Sequence, residues 1–192
     1  MEFTLHYHGP LKAATGRNKR KDHKHDLRRH FHKQLKELWK LPQLSEFRDS
    51  LIVPEPDAAE SRALLRRVGQ YHFAPLISSY FDLVANLEIV MLRPEPEGRI
   101  FVRSGDIDNR LKTLLDALKV PNDEAALPDN ASPSPDESPF FCLLEDDSLV
   151  TNVDIQTAHW LEPEVQDSDE VVLLLRIRTK PTRVTWGNMG LA

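Results

Sequence analysis

The chain has 192 residues, of which 40% are hydrophobic and 29% charged, a composition typical of one globular domain with a buried core. Cys142 is the only cysteine, so an internal disulfide is excluded and a reducing, cytoplasmic setting is expected. No apolar run approaches the roughly 20 residues of a membrane helix, so we expect no membrane partner.

The formal net charge of -5 conceals a strong separation of charge along the chain. Residues 1–40 contain 11 Lys and Arg against 4 Asp and Glu, whereas residues 121–170 contain 14 Asp and Glu and no Lys or Arg. A polyanion responds to the local field within about 10 Å, so the modest overall charge does not exclude DNA as a partner.

Hydrophobic periodicity predicts the regular elements. In chain order, alternation or β-rich composition predicts strands over 2–8, 83–92, 99–102, 149–160 and 171–178. Helical spacing predicts helices over 26–39, 57–68 and 107–118.

Two stretches lack periodicity. Residues 12–24 are basic and are predicted to form a loop. Residues 121–139 are rich in Pro, Ser and Asp, and we expect a disordered acidic insertion there. The order of the elements predicts one mixed α/β domain over 1–192, a small mixed β-sheet with helices packed on it.

The run Gly-Asp-Ile-Asp-Asn-Arg-Leu-Lys, from Gly105 to Lys112, begins the helix with the clearest apolar stripe. Asp106 is expected at its N-terminus, where free backbone N–H groups and the helix dipole favour a carboxylate. At 100° per residue, Asp108, Lys112 and Asp116 fall along one edge beside the leucine stripe. Two carboxylates and an ammonium are thereby gathered on one helix edge.

A second acidic block, Glu145-Asp146-Asp147, precedes a predicted strand. Mg²⁺ prefers carboxylate oxygens, and phosphodiester hydrolysis uses such ions to activate water and to stabilise charge on the phosphate. A nearby lysine adds stabilisation in the transition state. The structural alternatives are a capped helix start and a solvated acidic turn, and both are common.

The two blocks together resemble the signature of the RusA family of Holliday-junction resolvases. The family pattern is Asp-x-Asp-Asn-x-x-Lys, then Asp-Ala-Leu, then Asp-Asp-x-Gln followed by Val or Ile. The resemblance is firmest over 100–118 and 143–160. Two departures stand out: Leu149 replaces the usual Gln, and the acidic insertion makes the interval between the blocks much longer.

Carried over by matched position, the resemblance implies that Asp106, Asp108 and Asp147 are catalytic carboxylates that bind metal, with Asp146 as a further candidate ligand. Lys112 matches the catalytic lysine. The residues implied to support these ligands are Asn109 and Asp116. For Asp116, a buried helix residue bonded to the backbone is an equally good interpretation.

The resemblance also implies an activity. The family forms homodimers that use Mg²⁺, with Mn²⁺ as a substitute and no small-molecule cofactor, to cut four-way DNA junctions. We therefore expect a structure-selective endodeoxyribonuclease that resolves Holliday junctions and other branched DNA in recombination and repair. Two alternatives stay open: a non-catalytic DNA-binding protein of the same fold, and a nuclease for other structured DNA such as flaps or forks.

A basic cluster near the N-terminus is the candidate DNA-binding surface. Lysine and arginine supply sequence-independent affinity for phosphates, although a solvated basic loop is an equally good interpretation. The cluster consists of Arg17, Lys19, Arg20, Lys21, Lys24, Arg28 and Arg29.

Overall fold

A computed structural model of the protein describes residues 1–14, 20–47, 64–94, 107–161 and 169–191. No helix within these ranges is long and apolar enough to cross a membrane. The described strands are β1 (Glu2–Pro10), β2 (Arg66–Val68), β3 (Tyr71–Ile77), β4 (Leu83–Arg93), β5 (Phe140–Leu144), β6 (Val150–His159) and β7 (Glu170–Pro181). The described α-helices are α1 (Lys21–Leu38), α2 (Pro42–Ser45) and α3 (Ile107–Leu118).

The predicted mixed α/β fold is confirmed, although the strands form two sheets where one was expected. The larger sheet has the order β1-β7-β4-β6, with an antiparallel pairing on each side of β7 and a parallel pairing between β4 and β6. The smaller sheet has the order β2-β3-β5, and β3 runs parallel to β5. Each sheet therefore contains both kinds of pairing.

Helix α1 lies at the centre of the core. Leu27, Phe31 and Leu35 recur every four residues, so they share one face of the helix, and all three are buried. Helix α1 packs against β1, β5 and α3. This position brings the basic start of α1 beside the helix that carries the candidate catalytic lysine.

Strands with one half-exposed face were predicted well. In β4 and β7, buried residues alternate along much of the strand with less buried ones, which is the pattern that alternation predicts. Strand β5 is buried at every position, and β3 at every position except His72, so neither shows the alternation that would have revealed it. Burial on both faces removed the sequence signal.

Other boundaries differ from the predictions. Helix α1 begins at Lys21, so the last part of the predicted loop over 12–24 is helical. Residues 66–68 form β2 and not the end of a helix, while most of the predicted helix over 57–68 lies outside the described residues. The predicted strand over 99–102 also lies outside them.

Residues 121–139, expected to be disordered, contain two short 3-10 turns at Glu124–Ala126 and Pro135–Glu137. The Asp123 side chain accepts a hydrogen bond from the Ala126 N–H, which closes the first turn. The carboxylate of Glu137 accepts a hydrogen bond from Arg29 of α1 at 2.6 Å. This polar segment is held by local caps and by pairing with a basic helix, which a test for apolar periodicity does not detect.

Candidate active site

The candidate site is a cleft of about 740 Å³ between the start of α1, helix α3 and the segment that follows α3. Its cationic lining side chains are Lys21, Lys24, Arg28, Lys112 and Lys119. Its acidic lining side chains are Asp116, Asp123 and Asp147. Lys24 and Lys119 pair with Asp116 and Asp147 of the lining, and Lys21 pairs with Asp129 outside it. The exposed Lys112 is therefore the side chain best placed to attract an anionic ligand.

One face of α3 lines the cleft. Asn109, Lys112, Asp116 and Lys119 follow each other at intervals of three, four and three residues, which keeps them on one side of a helix with 3.6 residues per turn. Asp108, in the first turn of α3, is exposed. It is not among the described residues that line the cleft. The predicted edge consisted of Asp108, Lys112 and Asp116. Lys112 and Asp116 do line the cleft, but Asn109 takes the place of Asp108.

The second acidic block reaches the cleft through β5. Lys119, just after α3, pairs in a parallel bridge with Leu144 at the end of β5, and the N–H of Val120 donates to the Leu144 carbonyl at 3.0 Å. Asp147 follows three residues later, and its carboxylate lies 3.0 Å from the Lys119 ammonium. The side chain of Asp147 is 46% exposed. Residues from both sequence blocks therefore meet in one cleft.

Asp146 and Glu145 have structural partners of their own. The Asp146 carboxylate accepts a hydrogen bond from the Ser148 N–H at 3.0 Å, and hydrogen bonds from Ser148 lower the pKa of Asp146. Burial would raise the pKa of Glu145, but hydrogen bonds from Ser79 and Arg66 outweigh it, so this pKa is lowered. Both oxygens of the Glu145 carboxylate therefore accept hydrogen bonds that stabilise the fold.

Asp116 joins α3 to α1. Its carboxylate lies 2.6 Å from the Lys24 ammonium, and its backbone carbonyl accepts a hydrogen bond from Arg28 at 2.8 Å. These bonds hold the two helices together where both line the cleft. A supporting role for Asp116, beside the candidate ligands, is consistent with this position.

The basic cluster is more heavily paired than its sequence indicates. Arg17 and Lys19 lie outside the described residues. Arg28 is only 2% exposed, and burial lowers its pKa to about 10. It lines the cleft, and its predicted contact with DNA stays a prediction. Lys21 pairs with Asp129 at 2.5 Å, and Arg29 pairs with Glu137. Arg20, immediately before α1, is half-buried.

Sequence reasoning missed two residues of this region. Arg110, inside the first motif, is fully buried and donates to the Leu11 carbonyl at 2.6 Å and to the Asp169 carboxylate at 3.0 Å. Lys119 carries the contact with Asp147. Its spacing of seven residues from Lys112 returns it to within about 20° on the helical wheel, so the sequence did contain a signal for it.

Asp106 lies outside the described residues, so the predicted set of three metal-binding carboxylates is only partly visible. Over the described ranges, no three His, Cys, Asp or Glu side chains come together in a group suited to a metal ion. Asp147 and Asp146 lie near each other beside Lys119, whereas Asp108 stands at the other end of α3.

In chemical terms, the cleft offers cationic side chains for a phosphate and an exposed carboxylate for a hard cation. Comparisons of the chain with models of protein families, with curated proteins and with solved structures gave no match.

Proposed function

We propose that the protein is a Mg²⁺-dependent, structure-selective endodeoxyribonuclease that acts on branched DNA, with the four-way junction as its substrate. The observation that carries the proposal is the meeting of Lys112 and Asp147 in one cleft, although residues 113–146 separate them in the sequence. These two residues belong to the two blocks that resemble the RusA family, and the choice of reaction and substrate comes from that resemblance.

The side chains of the cleft suit a phosphodiester. Lys112 is exposed in the cleft and is able to contact a non-bridging phosphate oxygen, where its charge stabilises the transition state. Lys21 and Lys24, at the start of α1, pair with Asp129 and Asp116 in the free protein, and a DNA phosphate would compete for their ammonium groups. Such phosphate contacts are independent of sequence and weaken as salt rises.

By the resemblance, the proposed metal ligands are Asp106, Asp108 and Asp147, with Asp146 next to Asp147. Asp108 lies in the first turn of α3 and Asp147 beside its end, so sharing one ion requires these two segments to approach each other. Carboxylate oxygens are the donors that Mg²⁺ prefers, and Mg²⁺ keeps several waters, so a few carboxylates are sufficient. When bound, the ion supplies an activated water and stabilises charge on the phosphate. The chain's own part is to present Asp147 at the cleft and to fix it through the turn Asp147–Leu149.

We extend the proposal to assembly and compartment. Paired cuts across a four-way junction require two active sites, so we propose a homodimer. The only cysteine, Cys142, is buried and free, which fits a reducing compartment, and we propose the cytoplasm.

The test is a cleavage assay with linear, flap, fork and four-way substrates in Mg²⁺. The proposal expects the four-way junction to be cut preferentially, and expects EDTA to stop the reaction. Asp108→Asn should abolish cleavage while junction binding survives, because the substitution removes a ligand charge without removing the basic side chains. Unchanged cleavage by Asp108→Asn would remove the basis of the assignment.

A non-catalytic DNA-binding protein is the second candidate, and one contact favours it. The ammonium of Lys119 already neutralises Asp147, one of the proposed ligands. Junction binding without cleavage in both Mg²⁺ and Mn²⁺ would support this candidate. Faster cleavage of flaps or forks than of junctions would instead identify a nuclease for other structured DNA.

A further inference from the structure

We propose that Lys119 is a positioning residue that controls the availability of Asp147. In the free protein its ammonium neutralises the Asp147 carboxylate, and when DNA enters the cleft the ammonium moves to a phosphate and releases that carboxylate for a divalent cation. The inference rests on the proposed function, because it concerns the same cleft.

The side chain of Lys119 is held in an unusual environment. Lys119 is 8% exposed, and its Nζ lies 3.0 Å from Asp147 Oδ2 and 3.9 Å from Asp146 Oδ2. A lysine this deeply buried needs an opposite charge, because removing an ammonium from water is costly. In the free protein, Asp147 and Asp146 supply that charge.

The backbone of Lys119 is fixed, and its side chain lines the cleft. Its N–H donates to the Leu115 carbonyl at 3.2 Å, and the residue pairs with Leu144. The four-carbon side chain is flexible beyond this anchor. Lys119 directly follows α3 and lines the same cleft as Lys112. A phosphate bound near Lys112 therefore lies on the same side of the helix as the Lys119 side chain.

A cation bound to Asp147 would lie within a few ångströms of the Lys119 ammonium. Like charges repel more strongly in a partly desolvated cleft than in bulk water, so Lys119 weakens cation binding in the free protein. A phosphate that draws the ammonium away removes this repulsion. By linkage, DNA and the divalent ion then strengthen each other's binding.

The first experiment measures Mn²⁺ binding to the DNA-free protein by isothermal titration calorimetry. Lys119→Gln removes the charge and should bind Mn²⁺ about tenfold more tightly than the wild type. Lys119→Arg keeps the charge and should stay within about twofold of the wild type. Lys180→Gln is the matched control, because Lys180 is exposed on β7 away from the cleft, and it should change nothing.

The second experiment measures four-way junction binding in EDTA across a range of salt concentrations. Lys119→Gln should bind the junction several-fold more weakly than Lys180→Gln, and the slope of log affinity against log salt should fall by about one, as expected for one lost phosphate contact. A residue that only stabilises the fold would not tighten Mn²⁺ binding and weaken DNA binding at the same time.

The outcomes separate this inference from the proposed function. If Asp147→Asn weakens Mn²⁺ binding but Lys119→Gln leaves it unchanged or weaker, the inference is overturned and the nuclease proposal stands. Tightening by Lys119→Arg equal to that of Lys119→Gln would also overturn the charge argument. If Lys119→Gln does not fold, Lys119→Arg is compared with the wild type alone, and tightening by more than about twofold overturns the argument. A wild type that neither binds Mn²⁺ nor cuts junctions overturns both.

Discussion

Several charged or titratable side chains near the cleft are buried and hold elements together. Arg110 joins the residues after β1 to those before β7 through Leu11 and Asp169. Arg28 joins α1 to α3 through the backbone carbonyl of Asp116. Each such group requires its partners, because a buried polar group without them is destabilising.

His25 makes the stability of the fold sensitive to acid. It is 1% exposed, stacks on Phe140, and lies 3.2 Å from the Tyr71 hydroxyl. Burial, and then the nearby charges of Arg28 and Arg29, lower its pKa to about 4 from an ordinary value of 6.5. The folded protein therefore binds fewer protons than the unfolded chain, so stability is full above pH 6.5 and falls as the pH drops towards 4.

We predict that His25→Phe removes this part of the acid sensitivity. The free energy of unfolding in urea should fall between pH 7 and pH 5 by about 1–2 kcal/mol more in the wild type than in the variant. His32 is also buried with a lowered pKa, so some acid sensitivity should persist in the variant. Equal losses in the two proteins would show that His25 is not responsible.

At the scale of elements, the acidic segment over 121–139 forms ion pairs along one edge of α1. Lys21, Arg29 and Lys36 of α1 contact carboxylates of Asp129, Glu137 and Asp136 respectively. The segment thus neutralises part of the basic cluster that was expected to face DNA. Glu137 is the best buried of these acids, and it also accepts a hydrogen bond from the Ser134 N–H.

Glu137→Gln should destabilise the protein at neutral pH by about 1 kcal/mol, with allowance for solvent screening of Arg29. Burial alone would raise the pKa of Glu137, but hydrogen bonds from Arg29 and Ser134 outweigh it and lower this pKa below 4.5. A lowered carboxylate pKa stabilises the fold above the unfolded pKa, and this contribution is lost as the pH falls through the folded value.

Urea unfolding at pH 7 and pH 4 tests this expectation, because the difference between wild type and Glu137→Gln should shrink at the lower pH. Asp136→Asn is the matched control: its pair with Lys36 is largely exposed, so little change is expected at either pH. A larger effect from Asp136→Asn than from Glu137→Gln would contradict this account of the segment.

For the whole molecule, the sequence predicted elements whose two faces differ. Strands β1, β4 and β7 and helix α3 were identified because their buried and less buried positions follow the period of a strand or a helix. Strand β6 was also predicted, although none of its positions is buried. Strands β3 and β5 escaped because they are buried almost throughout. The two-sheet arrangement followed from these missed strands and was therefore missed as well.

The candidate site was predictable in part. Lys112 and Asp147 were identified from two local motifs, but their meeting depends on β5, which brings Leu144 beside Lys119. Sequence shows charge but neither burial nor pairing, so the burial of Arg28 was not predicted and Lys119 was overlooked. That Asp106, Asp108 and Asp147 bind a metal ion stays a prediction.

The central claim is that Lys112 and Asp147 belong to one active site, and a double-mutant cycle on junction cleavage tests it most directly. Single-turnover rates in Mg²⁺ are measured for wild type, Lys112→Met, Asp147→Asn and the double variant, with Lys180→Gln as the control. We predict that each single change lowers the rate by about 100-fold or more, and that the double variant is no slower than the slower single variant, because groups that act as a unit are not additive. Cleavage at the wild-type rate by either single variant would contradict the claim.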